Sequence, residues 1–198
     1  MSDYFEVFGF SRKLQVDAEE LRRRFYELSR RHHPDFHQLA GADEQAAALA
    51  SSALVNRAYR ALREPLARVE YLVALEEGGN GGGGGAVKPK APMDLLAEML
   101  EVQEAIEEAK TSGLDAESRR RLREEWQRLI ARRAATEAEI VAGGARWDAA
   151  LDEGRDRGPL LAWFKQALAT RAYLRTVIDD LSDALGEDRD PHVSHRRH

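Results

Sequence analysis

The sequence predicts an all-α protein in which an N-terminal helical hairpin precedes a C-terminal three-helix bundle. Alanine, leucine, arginine and glutamate dominate the 198 residues, and these residue types favour helix over sheet. Apolar side chains recur at helical spacing in both halves of the chain, and no segment alternates as a strand does. With 43% apolar and 33% charged residues, the chain has enough material for a core and a polar surface.

A run of glycines, GGNGGGGG at residues 78–85, divides the chain. Such a run is suited only to a flexible connection, because glycine restricts the backbone least. We therefore expect a head with a short connecting helix at 1–76, a glycine-rich linker at 77–91, a tail domain at 92–186 and a frayed polar end at 187–198.

The first long helix of the head is predicted from residue 18 to the histidines before Pro34. Its apolar stripe consists of residues at helical spacing, namely Leu21, Phe25 and Leu28. Asp17 is suited to the N-cap, and Glu20 stands three residues later, as in a capping box. Pro34 ends the helix, because the residue before a proline is driven out of the α region.

A second long helix is expected at 43–63, so that the histidine-rich loop forms the bend of the hairpin. The segment YFEVFGF at 4–10 predicts a short first helix that packs across this hairpin. Five residues of the second long helix fall close to one side: Leu49, Ala53, Asn56, Tyr59 and Leu62.

Three helical stretches are predicted in the tail, at 93–110, 115–141 and 159–185. Pro159 suits the first turn of the last one. Two glycines, Gly143 and Gly144, are expected at the joint before it. Short connections between helices favour an antiparallel three-helix bundle.

Composition excludes several kinds of chemistry. The chain has no cysteine, so it can form no disulfide, thiolate metal site or cysteine nucleophile. Its net charge of −5 gives no reason to expect a nucleic-acid partner. The N-terminal residues lack the pattern of a targeting signal, and no apolar run reaches membrane-spanning length. We expect a cytoplasmic protein that binds no membrane.

The stretch SRRHHPDFHQ at 29–38 holds three histidines, and three interpretations compete. A metal site is disfavoured, because His33, Asp35 and His37 lie in one loop and no distant ligand pair accompanies them. Acid–base catalysis by His33 and Asp35 lacks an accompanying nucleophile or phosphate-binding loop. A polar turn without chemistry is the simplest interpretation.

The helix that leads into this loop has a partly basic outer face. Four residues lie about 100–200° from its apolar stripe: Arg22, Arg23, Tyr26 and Arg30. Glu19 and Glu27 dilute the charge, so composition alone favours a solvated surface. A proline-locked loop beside such a face is also suited to docking an acidic protein partner.

Three segments of the head together resemble a J-domain: DYFEVFGF, LRRRFYELSRRHHPD and NRAYRALREP. The diagnostic tripeptide is His33, Pro34 and Asp35. The resemblance implies that this tripeptide binds a DnaK/HscA-type heat-shock chaperone and stimulates its ATPase. It further implies chaperone contacts on the preceding helix, at Arg22, Arg23 and Tyr26.

Two positions depart from the J-domain pattern. Phe36 follows the tripeptide, where many J-domains have a lysine or arginine. Glu27 stands where a basic residue is common. Both departures indicate a weaker or more specialised contact with the chaperone.

The first tail helix has an apolar stripe for the bundle core, formed by Leu95, Met99, Val102 and Ile106. Leu96 and Leu100 lie about 90–130° away from the centre of that stripe. Further round lie Ala97, Glu101, Glu104 and Glu108. Periodicity alone leaves two alternatives open, a wide core face and a patch that binds a partner.

The tail resembles that of the HscB family, the J-type co-chaperones of iron–sulfur cluster assembly. The resemblance rests on REPLARVEYLV after the J-domain, the acid-rich first tail helix and WDAAL at 147–151, and it runs from Asp3 to about Leu185. It implies that the tail binds an IscU-type scaffold. The implied contacts are Leu96, Ala97, Leu100, Glu101, Glu104, Glu108 and Tyr173.

Ala97 is smaller than the methionine usual in the family, which implies a reduced contact with the scaffold. Trp163 and Phe164 remain alternatives to Tyr173 as the aromatic contact on the last helix. The absence of cysteine matches the bacterial form of the family, because many eukaryotic members carry a cysteine-based metal module.

Together these observations predict a non-enzymatic adaptor without metal or cofactor, which calls on a DnaK/HscA-type chaperone and delivers an IscU-type scaffold. One alternative is a general J-domain co-chaperone whose tail binds other clients or dimerises, and a weak homodimer stays open. A second alternative is a small enzyme that uses His33 and Asp35 as an acid–base pair.

Overall fold

A computed structural model describes residues 3–33, 35, 41–78, 93–113 and 115–186. Within these ranges the chain forms α-helices and no strand, which confirms the all-α prediction. The helices are α1 (Tyr4–Val7), α2 (Ala18–Arg31), α3 (Ala42–Arg63), α4 (Pro65–Glu76), α5 (Met93–Ser112), α6 (Ala116–Asp152) and α7 (Gly158–Leu185).

The chain packs into two compact units. The first unit combines Met1–Val87 with Val141–Phe164, and the second combines Lys88–Ile140 with Lys165–His198. Most of the predicted linker and the whole of the predicted frayed end lie outside the described residues. The domain boundaries expected from the glycine run therefore stay a prediction.

The start of α2 forms as the sequence predicts. The Asp17 carboxylate accepts hydrogen bonds from the backbone N–H groups of Glu19 and Glu20, at 2.8 and 3.2 Å. Glu20 does not complete a capping box, because its carboxylate accepts a hydrogen bond from Arg24 Nε at 2.9 Å. The helix ends at Arg31, and His32 is its C-cap.

The inner side of α3 differs from the expected one. Its buried residues are Ala48, Val55, Ala58 and Leu62. Of the five residues predicted to lie close to one side, Leu62 is buried, whereas Leu49 is 62% exposed and Asn56 is also exposed. α3 packs against α1, α2 and α4. Alanines on the inner side allow these backbones to approach closely, whereas periodicity counts an alanine as a weak apolar signal.

The short helix α1 is fixed by aromatic and polar contacts with α4. Tyr4 and Tyr71 stack with ring centroids 4.5 Å apart, and the backbone N–H of Tyr4 donates to the Tyr71 hydroxyl at 2.8 Å. Burial raises the pKa of Tyr71 to about 12. Asp3 lies beside this pair, and its hydrogen bond to Arg12 at 2.7 Å raises the pKa of the guanidinium.

Buried polar groups also tie α4 to the loop between α1 and α2. Arg68 is only 4% exposed, and it donates to the backbone carbonyls of Leu62 and Leu14. Burial lowers the pKa of this guanidinium, because desolvation disfavours its charge. Arg68 and Tyr71 both belong to the segment REPLARVEYLV, so the structure shows what two residues of that segment do.

The segment WDAAL brings the end of α6 into the first unit. Trp147 is fully buried, and its indole N–H donates to the carbonyl of Arg12 at 2.9 Å. Asp148 is 7% exposed, and its carboxylate accepts the backbone N–H groups of Leu14 and Gln15 at 2.7 and 2.8 Å. The one carboxylate therefore satisfies two backbone donors of the loop before α2. Leu14 and Gln15 precede Asp148 by 134 and 133 positions in the chain.

Gly143 and Gly144 lie inside α6, which corrects the joint expected there. The helix continues to Asp152 because both glycines are buried at close packing positions. A Cβ on Gly143 would lie 2.6 Å from the Trp163 ring, and one on Gly144 would lie 3.1 Å from Leu14 Cβ. These glycines therefore allow close packing and do not break the helix.

The second unit has an apolar core to which three helices contribute. α5 supplies Val102 and Ile106, α6 supplies Leu122 and Leu129, and α7 supplies Leu174, Val177, Ile178, Leu181 and Leu185. Gln103 Nε2 also donates to the Asp180 carboxylate at 2.7 Å, which links α5 to α7. The unit is the predicted three-helix bundle.

Candidate functional site

His33 and Asp35 stand at the end of α2 with exposed side chains. The side chains are 53% and 70% exposed. Nδ1 of His33 accepts the backbone N–H of Asp35 at 3.2 Å and lies 3.5 Å from the Asp35 carboxylate. The imidazole therefore fixes the local turn while the carboxylate stays accessible. Pro34, the middle residue of the tripeptide, and Phe36 and His37 lie outside the described residues.

The exposure of His33 and Asp35 gives no support to an acid–base site or a metal site. Neither side chain is enclosed, so water competes for each polar atom. In the described part of the chain, no group of three or more histidine or carboxylate side chains could hold a metal ion. The arrangement suits the presentation of an imidazole and a carboxylate to another protein.

Arg22, Arg23 and Tyr26 lie on the outer side of α2. The arginine side chains are 54% and 65% exposed, and Tyr26 is 59% exposed. Arg22 lies 3.4 Å from Glu19, and Arg23 lies 3.3 Å from Glu20. We call these three residues, with His33 and Asp35, the docking face. Exposed pairs within one helix are weak, so a partner carboxylate can compete for the arginines.

An aromatic contact behind the docking face connects α2 to α3. Phe25 stacks on Tyr59 with ring centroids 4.1 Å apart, and its ring lies 5.6 Å from that of Tyr26. Leu21, one turn earlier, is 1% exposed. The inner side of α2 is therefore anchored, and its outer residues project from a supported helix.

The first tail helix presents the second candidate surface. Leu96 is 40% exposed and Leu100 is 61% exposed, whereas Val102 and Ile106 on the other side are buried. The remaining predicted contacts on this helix are all exposed: Ala97, Glu101, Glu104 and Glu108. We call these residues, with Leu96 and Leu100, the α5 patch. Of the two alternatives that periodicity left open, the exposure of both leucines disfavours a wide core face.

Other predicted residues of the tail are less exposed. Tyr173 is partly buried and packs against the bundle core, and Met99 does the same. Phe164 is fully buried and therefore has no surface for a partner. Trp163 is partly buried in the first unit, with the Arg146 guanidinium 4.6 Å from its ring centre. The side chain of Leu95 lies outside the described residues.

Sequence reasoning missed the residues that support these surfaces from a distance. Arg68 and Asp148 hold the loop before α2, Tyr71 holds α1, and Gln103 links α5 to α7. Buried polar residues of this kind have no periodic pattern. Arg68 and Tyr71 lie in REPLARVEYLV, and Asp148 lies in WDAAL. Both segments resemble the HscB family, but the resemblance does not say what these side chains contact.

Comparison with solved structures shows that this architecture is similar to that of known proteins. No protein-family model matches the chain. The chaperone HscB from Vibrio cholerae is 25% identical, with a TM-score of 0.51 over 91% of this chain and 99% of that one. The human co-chaperone protein HscB is 22% identical, with a TM-score of 0.60 over 92% of this chain and 81% of that one, and at this identity it shows the fold alone.

The helical hairpin with an exposed histidine and aspartate, together with the three-helix bundle, resembles the architecture of J-type co-chaperones. Among such proteins, the architecture is similar to that of HscB. The resemblance to HscB noted in the sequence is confirmed. Across the described ranges, no helix has the length and apolarity needed to span a lipid bilayer.

Proposed function

We propose that this chain is a co-chaperone of iron–sulfur cluster assembly, with the docking face for a DnaK/HscA-type chaperone and the α5 patch for an IscU-type scaffold. The observation that carries the proposal is the HscB-type fold, in which His33 and Asp35 stand exposed at the end of α2. ATP hydrolysis then belongs to the chaperone. This chain binds it and changes the rate of that step.

The docking face has the chemistry needed for an acidic partner surface. Arg22 and Arg23 are exposed cations that steer and orient such a surface. Asp35 offers a carboxylate to a cationic group of the chaperone, and the His33 contact holds the backbone that carries it. A precise contact at this loop favours the conformation of the chaperone that hydrolyses ATP.

The α5 patch combines two exposed leucines with a row of glutamates. Exposed leucine side chains are stabilised when a partner covers them, and the glutamates around them select a basic rim on that partner. Binding the scaffold and the chaperone with one chain raises the effective concentration of the scaffold at the chaperone. Tyr173, partly buried in the same bundle, supplies a further contact from its exposed part.

The test of the chaperone role is the substitution His33→Gln. Glutamine keeps a polar side chain but lacks the rigid imidazole ring whose Nδ1 accepts the Asp35 N–H. We expect stimulation of a DnaK/HscA-type ATPase to fall to near the basal rate, measured by phosphate release under single turnover.

The matched control is His32→Gln, one position earlier, which changes the C-cap of α2 but not the His33–Asp35 contact. We expect His32→Gln to stimulate the ATPase as the unchanged protein does. If His33→Gln retains full stimulation, the proposed mechanism is wrong. If the protein turns over a substrate without any chaperone, the acid–base alternative gains the support that it now lacks.

A further inference from the structure

A pocket of about 260 Å³ lies between the start of α2 and the end of α3. It is lined by Ala18, Leu21, Arg22, Tyr59, Arg63 and Glu64. Typical small-molecule sites have volumes of about 300–1,000 Å³, so this pocket suits a single side chain better than a cofactor. None of the loop residues at His33 or Asp35 contributes to it.

The floor of the pocket is apolar and firmly held. Leu21 is 1% exposed, and the ring of Tyr59 is fixed by stacking on Phe25 at 4.1 Å with 19° between the ring planes. A pocket with such a floor exists before a partner arrives. Filling it therefore costs little rearrangement of this chain.

The rim of the pocket carries two exposed cations. The side chains of Arg22 and Arg63 are each 54% exposed. Their neighbours are Glu19, 3.4 Å from Arg22, and Glu64, 3.7 Å from Arg63. Both pairs are long and solvated, so they hold the guanidinium groups weakly. A carboxylate brought in beside a buried apolar group can replace them.

We propose that this pocket takes an apolar side chain from an acidic segment of the chaperone, whose flanking carboxylates pair with Arg22 and Arg63. The inference rests on the proposed function, because Arg22 belongs both to the pocket and to the docking face. It extends that face beyond the loop, to Arg63 of α3, for which the sequence analysis predicted no chaperone contact. Glu64 opposes the acidic segment, since it adds a like charge to the wall.

The first test is a titration that needs no chaperone. The full-length ¹⁵N-labelled protein is titrated with the peptide acetyl-Asp-Asp-Leu-Asp-Asp-amide and followed by NMR. We expect saturable shifts of the amides of Ala18, Leu21 and Tyr59, which weaken as salt is added. The same peptide with serine in place of leucine is expected to bind more weakly, because it cannot fill the apolar floor.

Three variants locate the binding. Arg63→Gln is expected to weaken peptide binding about two- to fivefold, the range of an exposed charge pair. Glu64→Gln is expected to tighten it, and Glu64 makes no side-chain cap to α4 that the substitution would remove. Arg57→Gln is the matched control, because Arg57 is exposed on the same helix and does not line the pocket. It is expected to leave binding unchanged.

The second test links the pocket to the chaperone. We expect Arg63→Gln, but not Arg57→Gln, to raise the concentration needed for half-maximal stimulation of the ATPase about two- to fivefold. If the unchanged protein fails to stimulate the ATPase, the proposed function fails while the peptide titration still decides what the pocket binds. If the leucine and serine peptides bind equally or cause no saturable shift, the pocket inference is wrong. If the peptide binds but Arg63→Gln stimulates normally, the assignment to the chaperone is wrong.

Discussion

The two compact units are stabilised in different ways. In the first, Arg68 and Asp148 are buried and bond to backbone groups of the loop before α2, far from them in the chain. In the second, the core is mainly apolar, and several exposed charged residues of α6 pair within their own helix, as Arg121 does with Glu117 at 2.5 Å, while Glu137 pairs with Arg171 of α7 at 2.6 Å. The stability of the first unit therefore depends on specific buried hydrogen bonds, whereas that of the second depends mainly on how well its apolar core is filled.

This difference has a physical reason. A buried polar group that loses its hydrogen-bond partner remains desolvated without compensation, so a single substitution can strongly lower the free energy of unfolding. An apolar core accepts substitutions that conserve its volume. The docking face lies on a unit that tolerates little change in its interior. The α5 patch lies on a bundle whose outer side can change without altering the core.

The largest effect is expected from Trp147→Ala. The substitution leaves a cavity at a fully buried site and removes the donor to the Arg12 carbonyl. We expect the free energy of unfolding to fall by about 3–5 kcal/mol, measured by denaturant titration. Trp163→Ala, at a partly buried tryptophan of the same unit, should cost less. If both variants lose the same free energy of unfolding, full burial and the long-range hydrogen bond of Trp147 do not add to the stability of the first unit.

The next effect concerns binding and not stability. Leu96→Ala combined with Leu100→Ala removes the apolar part of the α5 patch, and we expect the free energy of scaffold binding to weaken by about 2 kcal/mol, or roughly 30-fold in Kd. Calorimetric titration with an IscU-type scaffold measures it. The helix content should stay unchanged, because both side chains are exposed.

The control for this double substitution is Leu49→Ala, at a leucine of α3 that is 62% exposed and lies outside the patch. It should bind the scaffold normally. Unchanged binding by the double variant would exclude the α5 patch as the scaffold site. In that case a general co-chaperone with other clients becomes the better interpretation.

A smaller effect, dependent on pH, is expected at Tyr71. Burial raises the pKa of its hydroxyl from 10.0 to about 12, so the folded state favours the neutral form. Stability from this group is therefore fully present below pH 10 and is lost as the pH rises towards 12. Tyr71→Phe should lower stability at neutral pH by about 1–3 kcal/mol, because the buried Tyr4 N–H loses its acceptor.

The measurement for Tyr71 is the midpoint of denaturation at neutral and at alkaline pH. The difference between the unchanged protein and Tyr71→Phe should shrink as the pH rises from 10 to 12. Tyr26→Phe is the control, because Tyr26 is 59% exposed. A constant difference across this range would show that the hydroxyl does not titrate as its burial requires.

The smallest effect is expected at the N-cap of α2. Asp17→Ala removes the acceptor of two backbone N–H groups, and we expect a loss of about 1 kcal/mol. Asp17→Asn should recover most of it, since asparagine is also a good N-cap. Thermal denaturation measures both variants. A full loss with asparagine would mean that the charge of Asp17, and not its hydrogen bonds, stabilises the helix.

Local signals predicted a large part of the fold. The Asp17 cap, the end of α2 before Pro34 and the start of α7 one residue before Pro159 depend on chain geometry within a few residues. Such features need no knowledge of distant residues. Periodicity placed Leu96 and Leu100 off the stripe of Val102 and Ile106 but left a wide core face open, and the structure shows both leucines exposed.

Two predictions failed where packing decides. The five α3 residues predicted to share one side are divided between core and solvent: Leu62 is buried, whereas Leu49 is exposed, because alanines occupy much of the side that packs against three other helices. The joint expected at Gly143 and Gly144 is continuous helix, because the space left by the missing side chains is filled by Trp163 and Leu14. Neither neighbour is near these glycines in the sequence.

The sequence by itself determined the all-α class, the head and tail helices and the exposed histidine and aspartate, because capping, proline and periodicity act locally. Only the tertiary structure decided which residues hold the loop before α2 and where Arg63 meets Arg22 around a pocket. Both depend on pairs far apart in the chain. No local pattern specifies such pairs, because the burial that makes them matter exists only once the helices have packed.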